Sequence, residues 1–352
     1  MMIERLAYSQ LVSAMATTPV VILLGPVAAG KTTLARAVMD GRNPQYFDLS
    51  QPVVRDHMLG LGQGAFAPGQ LMVLDGCHHM PGLMPMVQHA AGQGGRFVLV
   101  APYAVDGMDF LTGLAQVVEI SGLTLAEVGG DNLTQLWSRG GLPGSFAAVN
   151  DPLSLLYRQN HLSDITDHQF AKLGAKGAGD RVRKLLALIA AGQGAVTALR
   201  PMAQTLGVDE KTVAADVAVL EDLNILRRLT PLNLQTGKRL VKRPKLFLRD
   251  SGLVHALGVG QGASSWAGFV TEQVLTHLPP GAEAGFYKTS AAAEAPLVVV
   301  RGGHVWAMKP DVTGGTGGGR GFTNACNDLG ANGRWVVGPD NLEAVLANVA
   351  AI

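Results

Sequence analysis

Apolar residues in the first 140 positions come in short runs bounded by polar or turn-forming sequence. Pro19 to Leu24, Gln45 to Leu49, Leu71 to Leu74, Arg96 to Val100 and Gln116 to Ile120 are such runs. Apolar runs without alternation mark strands buried on both faces, the habit of a parallel sheet, and the intervals between these are long enough for crossover helices. A leading helix is expected over Arg5 to Met15, and the whole region reads as α/β. After Gly140-Gly141-Leu142-Pro143 the strand signal stops. Residues 150 to 223 carry helical periodicity, clearest in Arg183 to Ala190 and Val213 to Leu223. A strand pair follows at Ile225 to Leu229 and Lys245 to Leu248 across a polar turn. From about Gly268 a helix is mixed with runs such as Leu297 to Val300 and Trp335 to Val337. Three units and no internal repeat are expected.

Composition narrows the class. Of 352 residues, 47% are hydrophobic and 16% charged, with a net charge of +1, which excludes both a disordered chain and a polycation. Two cysteines, Cys77 and Cys326, are too few for a disulfide scaffold or a four-cysteine zinc site. The start, MMIERLAYSQ, has no basic segment ahead of an apolar one, and no apolar run approaches the ~18 residues of a membrane span. A cytoplasmic protein with no membrane contact is expected. The glycine-rich loop Gly314 to Gly321 is assigned no function.

One motif carries chemistry. The strand VVILL runs into Gly25-Pro26-Val27-Ala28-Ala29-Gly30-Lys31-Thr32 and then into the helical LARAVMD, matching G-x-x-x-x-G-K-[ST] in a strand, loop, helix context. Gly25 and Gly30 allow backbone angles that turn successive N–H groups inward around a phosphate, and the helix N-terminus adds partial positive charge. Pro26, Ala28 and Ala29 complete the cradle. Lys31 is placed on the β and γ phosphates, Thr32 on Mg²⁺, and Thr33 in the first helical turn. The strand Leu71-Met72-Val73-Leu74 ends in Asp75, the expected second Mg²⁺ residue, with a helix cap or turn residue as the competing reading. With no NKxD string present, ATP is preferred over GTP.

GPVAAGKTTLAR, YFDLS at Tyr46 to Ser50, LMVLDGCHHMPGLMPMV at Leu71 to Val87, GRFVLVAPY at Gly95 to Tyr103 and LWSRGGLP at Leu136 to Pro143 together resemble a family of bacterial and archaeal AAA-type ATPases. The C-terminal half of that family is a domain of unknown function. KRPKLFLRDSGLVHALG at Lys242 to Gly258 is similar to the family's "KspKlyflDtGL" signature, and GFVTEQVLTHL at Gly268 to Leu278 extends the likeness. The resemblance implies an α/β P-loop NTPase core of AAA type over 1–145 and a helical and winged-helix domain over 146–258. It also implies, over 259–352, a small α+β domain resembling PD-(D/E)xK restriction endonucleases.

The departures bear on function. The family's strand acid is followed by a glutamate that polarises water, whereas Asp75 is followed by Gly76. His78 and His79 are substitutes on paper, but an exposed loop position is the expectation for both. Val100-Ala101-Pro102 stands where the family has a polar "tGS", and Gly113-Leu114 where it has "GR". Arg139 is expected either to reach phosphate or to form a surface salt bridge. Retained nucleotide binding with slow hydrolysis follows, and restoring Gly76→Glu is expected to raise the rate. The alternatives are a working ATPase whose base comes from elsewhere and a sequence-nonspecific DNA-binding module.

Leu199 to Leu206, Gly207-Val208 and a helix capped by Asp209 over Glu210 to Leu223 read as a helix-turn-helix, with Ile225 to Leu248 as the wing. Asp209, Glu210, Asp216, Glu221 and Asp222 face a single Lys211 on the second helix, which disfavours entry into a major groove. From Arg227 to Arg249, by contrast, lie Arg227, Arg228, Lys238, Arg239, Lys242, Arg243, Lys245 and Arg249 against Asp250. These cations either grip DNA phosphates without reading sequence, or face the acidic helix, or are solvated, or meet a protein partner. In the nuclease-like segment the metal-binding Asp and Glu of the family align with Pro296 and Ala307, leaving Glu272 and Lys309. No cleavage of nucleic acid is expected, with Glu272 an ordinary surface or helix residue and Lys309 a partly buried strand-end charge.

Overall fold

Five strands lie parallel because each offers apolar side chains to both sides. The computed structural model describes residues 3–39, 44–66, 69–174, 177–234, 236–315 and 317–352; Asp40 of LARAVMD and Thr316 of the glycine-rich loop lie outside them. β1 (Val20–Leu24), β2 (Gln45–Asp48), β3 (Leu71–Asp75), β4 (Arg96–Ala101) and β5 (Ala115–Glu119) form one sheet in the order β2-β3-β4-β1-β5. Each strand end falls within one residue of the sequence expectation. Val21 and Leu23 of β1 share a core with Leu11 and Met15 of α1 (Leu6–Thr17) and with Leu34 and Ala35 of α2 (Lys31–Ala37). Val20 and Ile22 join a second core with Met58 of α3 (Pro52–Leu61) and Leu83 and Val87 of α4 (Leu83–Gly92). The period of two along a strand thus sorts one apolar run into two cores, one on each side.

The chain divides into two compact units, Met1–Leu123 with Asp222–Asn224, and Thr124–Glu221 with Ile225–Ile352. In the second, the helix Leu199–Leu206 ends at Gly207 (φ 67°), and the helix Glu210–Asp222 begins where Asp209 Oδ1 accepts the Thr212 amide at 2.6 Å. β6 (Leu226–Leu229) and β7 (Lys245–Leu248) then pair antiparallel. β8 (Glu283–Lys288), β9 (Glu294–Arg301) and β10 (His304–Pro310) form an antiparallel meander, and β11 (Gly333–Val337) lies parallel to β10. The helix Gly319–Asp328 covers this sheet with Phe322, Ala325 and Cys326.

The segment between β6 and β7, read from the sequence as a wing across a polar turn, is not left in solvent: Pro231 bridges Phe286 and Leu240 bridges Thr289, with Leu232 donating to Phe286 O and Val241 to Lys288 O, each at 2.9 Å. The excursion is laid onto β8, which satisfies its backbone groups. Half of its cations are also consumed. Arg227 and Arg249 bind Glu272, Arg228 binds Glu221 at 2.7 Å, and the fully buried Lys245 binds Glu294 at 2.7 Å. The acidic helix is likewise less charged than its sequence, since Asp216 is buried against Arg181 at 2.8 Å.

Glu272, expected as an ordinary surface or helix residue, lies on a helix but not at the surface. It is 8% exposed, on the helix Ala263–Thr276, and accepts from Arg227 at 2.5 and 2.9 Å and from Arg249 at 2.8 Å. Burial alone would raise its pKa, but the two guanidiniums overcome that and bring it to about 2. Lys309 is partly buried at the end of β10, donating to Gly318 O at 3.0 Å. Ala307 is buried and Pro296 half-buried. Among the described residues no three His, Cys, Asp or Glu gather as a metal-holding group.

Two quoted motifs of the second unit prove to be one structure. Asp250 accepts the amides of Gly141 (2.8 Å), Leu142 (3.2 Å) and Leu253 (2.9 Å), so RDSGL caps its own helix and holds the LWSRGGLP loop. A side chain at Gly140 would collide with the Asp250 carboxylate, and one at Gly252 with the Arg139 carbonyl. Arg139 itself binds Asp151 at 2.7 Å and the carbonyls of Phe146 and Ala148, the salt-bridge alternative. Among the described residues no helix is long and apolar enough to cross a membrane.

Candidate functional site

The expected loop emerges from the C-terminal end of β1. Gly25 holds φ 152° and passes so close to β5 that a Cβ would strike the Ile120 carbonyl oxygen; only glycine fits. Pro26 and Ala29 are buried, and Gly30, at φ 95°, is the N-cap of α2. Ala28 is exposed at φ 65°, a left-handed conformation that strains a residue with a Cβ by about 1 kcal/mol. Lys31 is 8% exposed, its ammonium donating to Gly25 O and Pro26 O at 2.7 Å each. Burial lowers its pKa to about 8, against the opposing pull of Asp75. The lysine is therefore folded into its own loop, its ammonium held by two loop carbonyls.

Thr32 and Thr33 are exposed on the first turn of α2. Thr32 Oγ1 donates to Asp75 Oδ2 at 2.6 Å, so the hydroxyl and carboxylate that sequence placed together do meet. Tyr46 also donates to Asp75 Oδ2, at 2.8 Å, and lies under the Arg36 guanidinium at 4.7 Å from its ring centroid. Burial, then the bond to Asp75, raise the tyrosine pKa. Beside it, Asp48 accepts Ser50 N (3.0 Å) and Oγ (2.6 Å) and Gln51 Nε2 (3.1 Å), bonds that hold its carboxyl below the usual range.

Sequence reasoning missed three of these residues. YFDLS was visible as a motif, and a period of two puts Tyr46 and Asp48 on one face, but the bond to Asp75 needed the pairing of β2 with β3. Arg5 gave no signal at all. Its guanidinium binds Ala29 O at 2.7 Å inside the loop and Ser121 O at 2.8 Å beyond β5.

Other expectations are corrected here. His78 and His79 are half-buried in a single turn, Cys77–His79, with ring centroids 3.9 Å apart, rather than exposed in a loop. Gly76 has φ 75° and donates to Val100 O at 2.9 Å. A glutamate there is strained whatever the space, so Gly76→Glu does not simply restore a lost base. Val100, Ala101 and Pro102 are buried, with no polar side chain among them.

A domain of unknown function (DUF8612) matches residues 130–265. The Walker-type ATPase PABY2304 of Pyrococcus abyssi superposes with a TM-score of 0.51 at 12% identity, covering 73% of this chain and 96% of that one. The shared fold is that of a P-loop ATPase. Uncharacterized protein Rv2008c of Mycobacterium tuberculosis and uncharacterized protein Mb2031c of Mycobacterium bovis are each 31% identical over 331 residues, spanning 88% of this chain and 74% of theirs. With that identity over that length, the chain belongs to the family of these two mycobacterial proteins.

Proposed function

We propose that the protein binds ATP with Mg²⁺ at Gly25, Pro26, Ala28, Ala29, Gly30, Lys31, Thr32 and Thr33, and hydrolyses it far more slowly than ordinary P-loop enzymes. Nucleotide occupancy, rather than rapid turnover, is then its output. The observation that carries this is the folded-in Lys31 ammonium beside the bonded pair Thr32 and Asp75. A buried cation bonded to carbonyls suits an arriving phosphate, and a hydroxyl with a carboxylate is the hard-oxygen donor set that Mg²⁺ prefers. Thr32 and Asp75 would hold the ion, which supplies neutralising charge to the phosphates. Slow turnover is supported by Gly76, by the apolar Val100-Ala101-Pro102 and by Leu114 at positions where the resembled family has polar groups. Calorimetry tests the reading. ATP–Mg²⁺ should bind, and Lys31→Ala should weaken it at least ~100-fold, the loss of a charged hydrogen-bonding group to two phosphates. Equal heats in both proteins refute binding, while wild-type turnover near ~1 per second or above refutes the slow step.

A division into a nucleotide-binding domain at 1–145, a winged-helix domain at 146–258 and a degenerate nuclease-like domain at 259–352 is proposed with it. It is supported by the helix pair before β6 and by the meander β8 to β10 with parallel β11.

A second reading, sequence-nonspecific contact with duplex DNA, is favoured by one cleft. It measures about 580 Å³ and is lined by Arg200, Arg228 and Arg243 against Glu210. Among the described residues, Arg200, Lys238, Arg239, Lys242 and Arg243 form no ion pair. Binding should weaken steeply with salt and vanish when Lys238, Arg239, Lys242 and Arg243 become Ser. Salt-tolerant preference for one sequence, lost on changing Glu210 to Asp216, refutes it; absence of binding at low salt assigns these cations to a protein partner.

A further inference from the structure

The site lacks the glutamate that would follow Asp75, yet a second carboxylate stands on the neighbouring strand. Asp48 ends β2 as Asp75 ends β3, and the two are register partners in a parallel pair. Strands in a sheet lie about 4.8 Å apart, and in-register residues of parallel strands project to the same side. Which side is fixed by neighbours. Val73, two residues before Asp75, belongs to the core of α1 and α2, and Tyr46, two before Asp48, packs against that same core. Tyr46 reaches Asp75 Oδ2 from there, and Thr32 of α2 reaches it too. Asp48 thus belongs to the face of the sheet that carries the loop, Thr32 and Asp75.

Glu119, the acid that ends β5 beside β1, does not. Val118 belongs to the α1 and α2 core, so its successor Glu119 projects to the opposite side. Asp48 is moreover held in one orientation by Ser50 and Gln51, and its lone pairs are not exhausted by three acceptances.

We propose that Asp48 is the general base of this site, orienting the water that attacks the γ-phosphate. The inference rests on the nucleotide-binding reading above. The water oxygen bonds to the γ-phosphorus while one of its protons passes to the Asp48 carboxylate. The bond from that phosphorus to the bridging oxygen breaks, and its electron pair leaves with ADP. Asp48 then returns the proton to solvent, so that ATP and water yield ADP, phosphate and one proton. A base on the adjacent strand also fits slow turnover, because aspartate is one methylene shorter than glutamate and starts from a neighbouring backbone.

The test uses the full chain and three proteins: wild type, Asp48→Asn and Asp48→Glu. Asparagine keeps an oxygen for the Ser50 amide and loses the charge. Single-turnover hydrolysis should fall on the order of 100-fold in Asp48→Asn, the usual worth of a positioned base, and recover in part in Asp48→Glu. Binding supplies an independent readout. Loss of a negative charge facing the γ-phosphate should tighten a non-hydrolysable ATP analogue several-fold while leaving ADP unchanged. If Asp48 merely shapes its turn, both nucleotides shift together and the melting temperature drops, which overturns the proposal. Wild-type hydrolysis in Asp48→Asn also overturns it. A wild type that binds ATP but never hydrolyses it removes this inference and spares nucleotide binding, whereas a wild type that binds no ATP removes both.

Discussion

Replacing Glu272 by Gln removes one negative charge and little else, and the structure fixes what that should cost. The carboxylate is 8% exposed between Arg227 and Arg249, whose side chains are 25% and 9% exposed, so solvent screens the pairs weakly. Its pKa falls from 4.5 to about 2 on folding, despite a burial effect that acts the other way. At about 1.4 kcal/mol per tenfold change in proton affinity, the folded state gains about 3 kcal/mol from ionised Glu272. Breaking buried pairs by removing one partner costs a similar ~3–5 kcal/mol, because Arg227 and Arg249 each lose a buried carboxylate. Because the pKa is depressed in the folded state, this stability is present in full above pH 4.5 and drains away as the pH falls towards 2. Urea unfolding followed by tryptophan fluorescence suits the measurement, since Trp266 is buried on the same helix. Glu272→Gln should be about 3 kcal/mol less stable at pH 7, and the gap should close between pH 4.5 and 2. A gap under ~0.5 kcal/mol at pH 7, the range of a neutral surface change, or one that stays constant down to pH 2, would refute the reasoning.

Asp250→Ala deprives three amides of their acceptor and should destabilise the second unit by about 3 kcal/mol, read by the same unfolding; a change below ~1 kcal/mol contradicts it. Gly76→Glu should lower stability by about 1 kcal/mol and leave hydrolysis no faster, so a clear rate gain by phosphate release disproves the backbone argument. Gly25→Ala should abolish ATP binding in calorimetry, because its methyl and the Ile120 carbonyl oxygen cannot share one place; retained affinity would show that the loop can move aside.

Much of the five-stranded unit was legible because its information is local. VVILL needs no partner to be recognised as a doubly buried strand, and the loop after it carries its own glycines and lysine. Asp75 could be placed by the strand that delivers it. What sequence could not reveal depends on residues far apart in the chain. Arg227 and Glu272 are 45 positions apart, so the sequence could not assign this arginine a carboxylate on a later helix. The excursion between β6 and β7 reads as a polar turn because its bridge partners Phe286 and Thr289 come about 50 residues later, in and just after a weakly patterned β8. Tyr46 and Asp48 were in view as letters, but their role turns on β2 lying beside β3 in a given register.

Arg5 gives the loop between β1 and α2 a mechanical neighbour. One guanidinium ties Ala29 in the loop to Ser121 and Gly122, just ahead of Thr124, where the chain enters its second unit. Whatever displaces Ala29 must therefore carry the Arg5 guanidinium with it or break its bonds to Ser121 and Gly122, so the loop and the segment beyond β5 share one mechanical element.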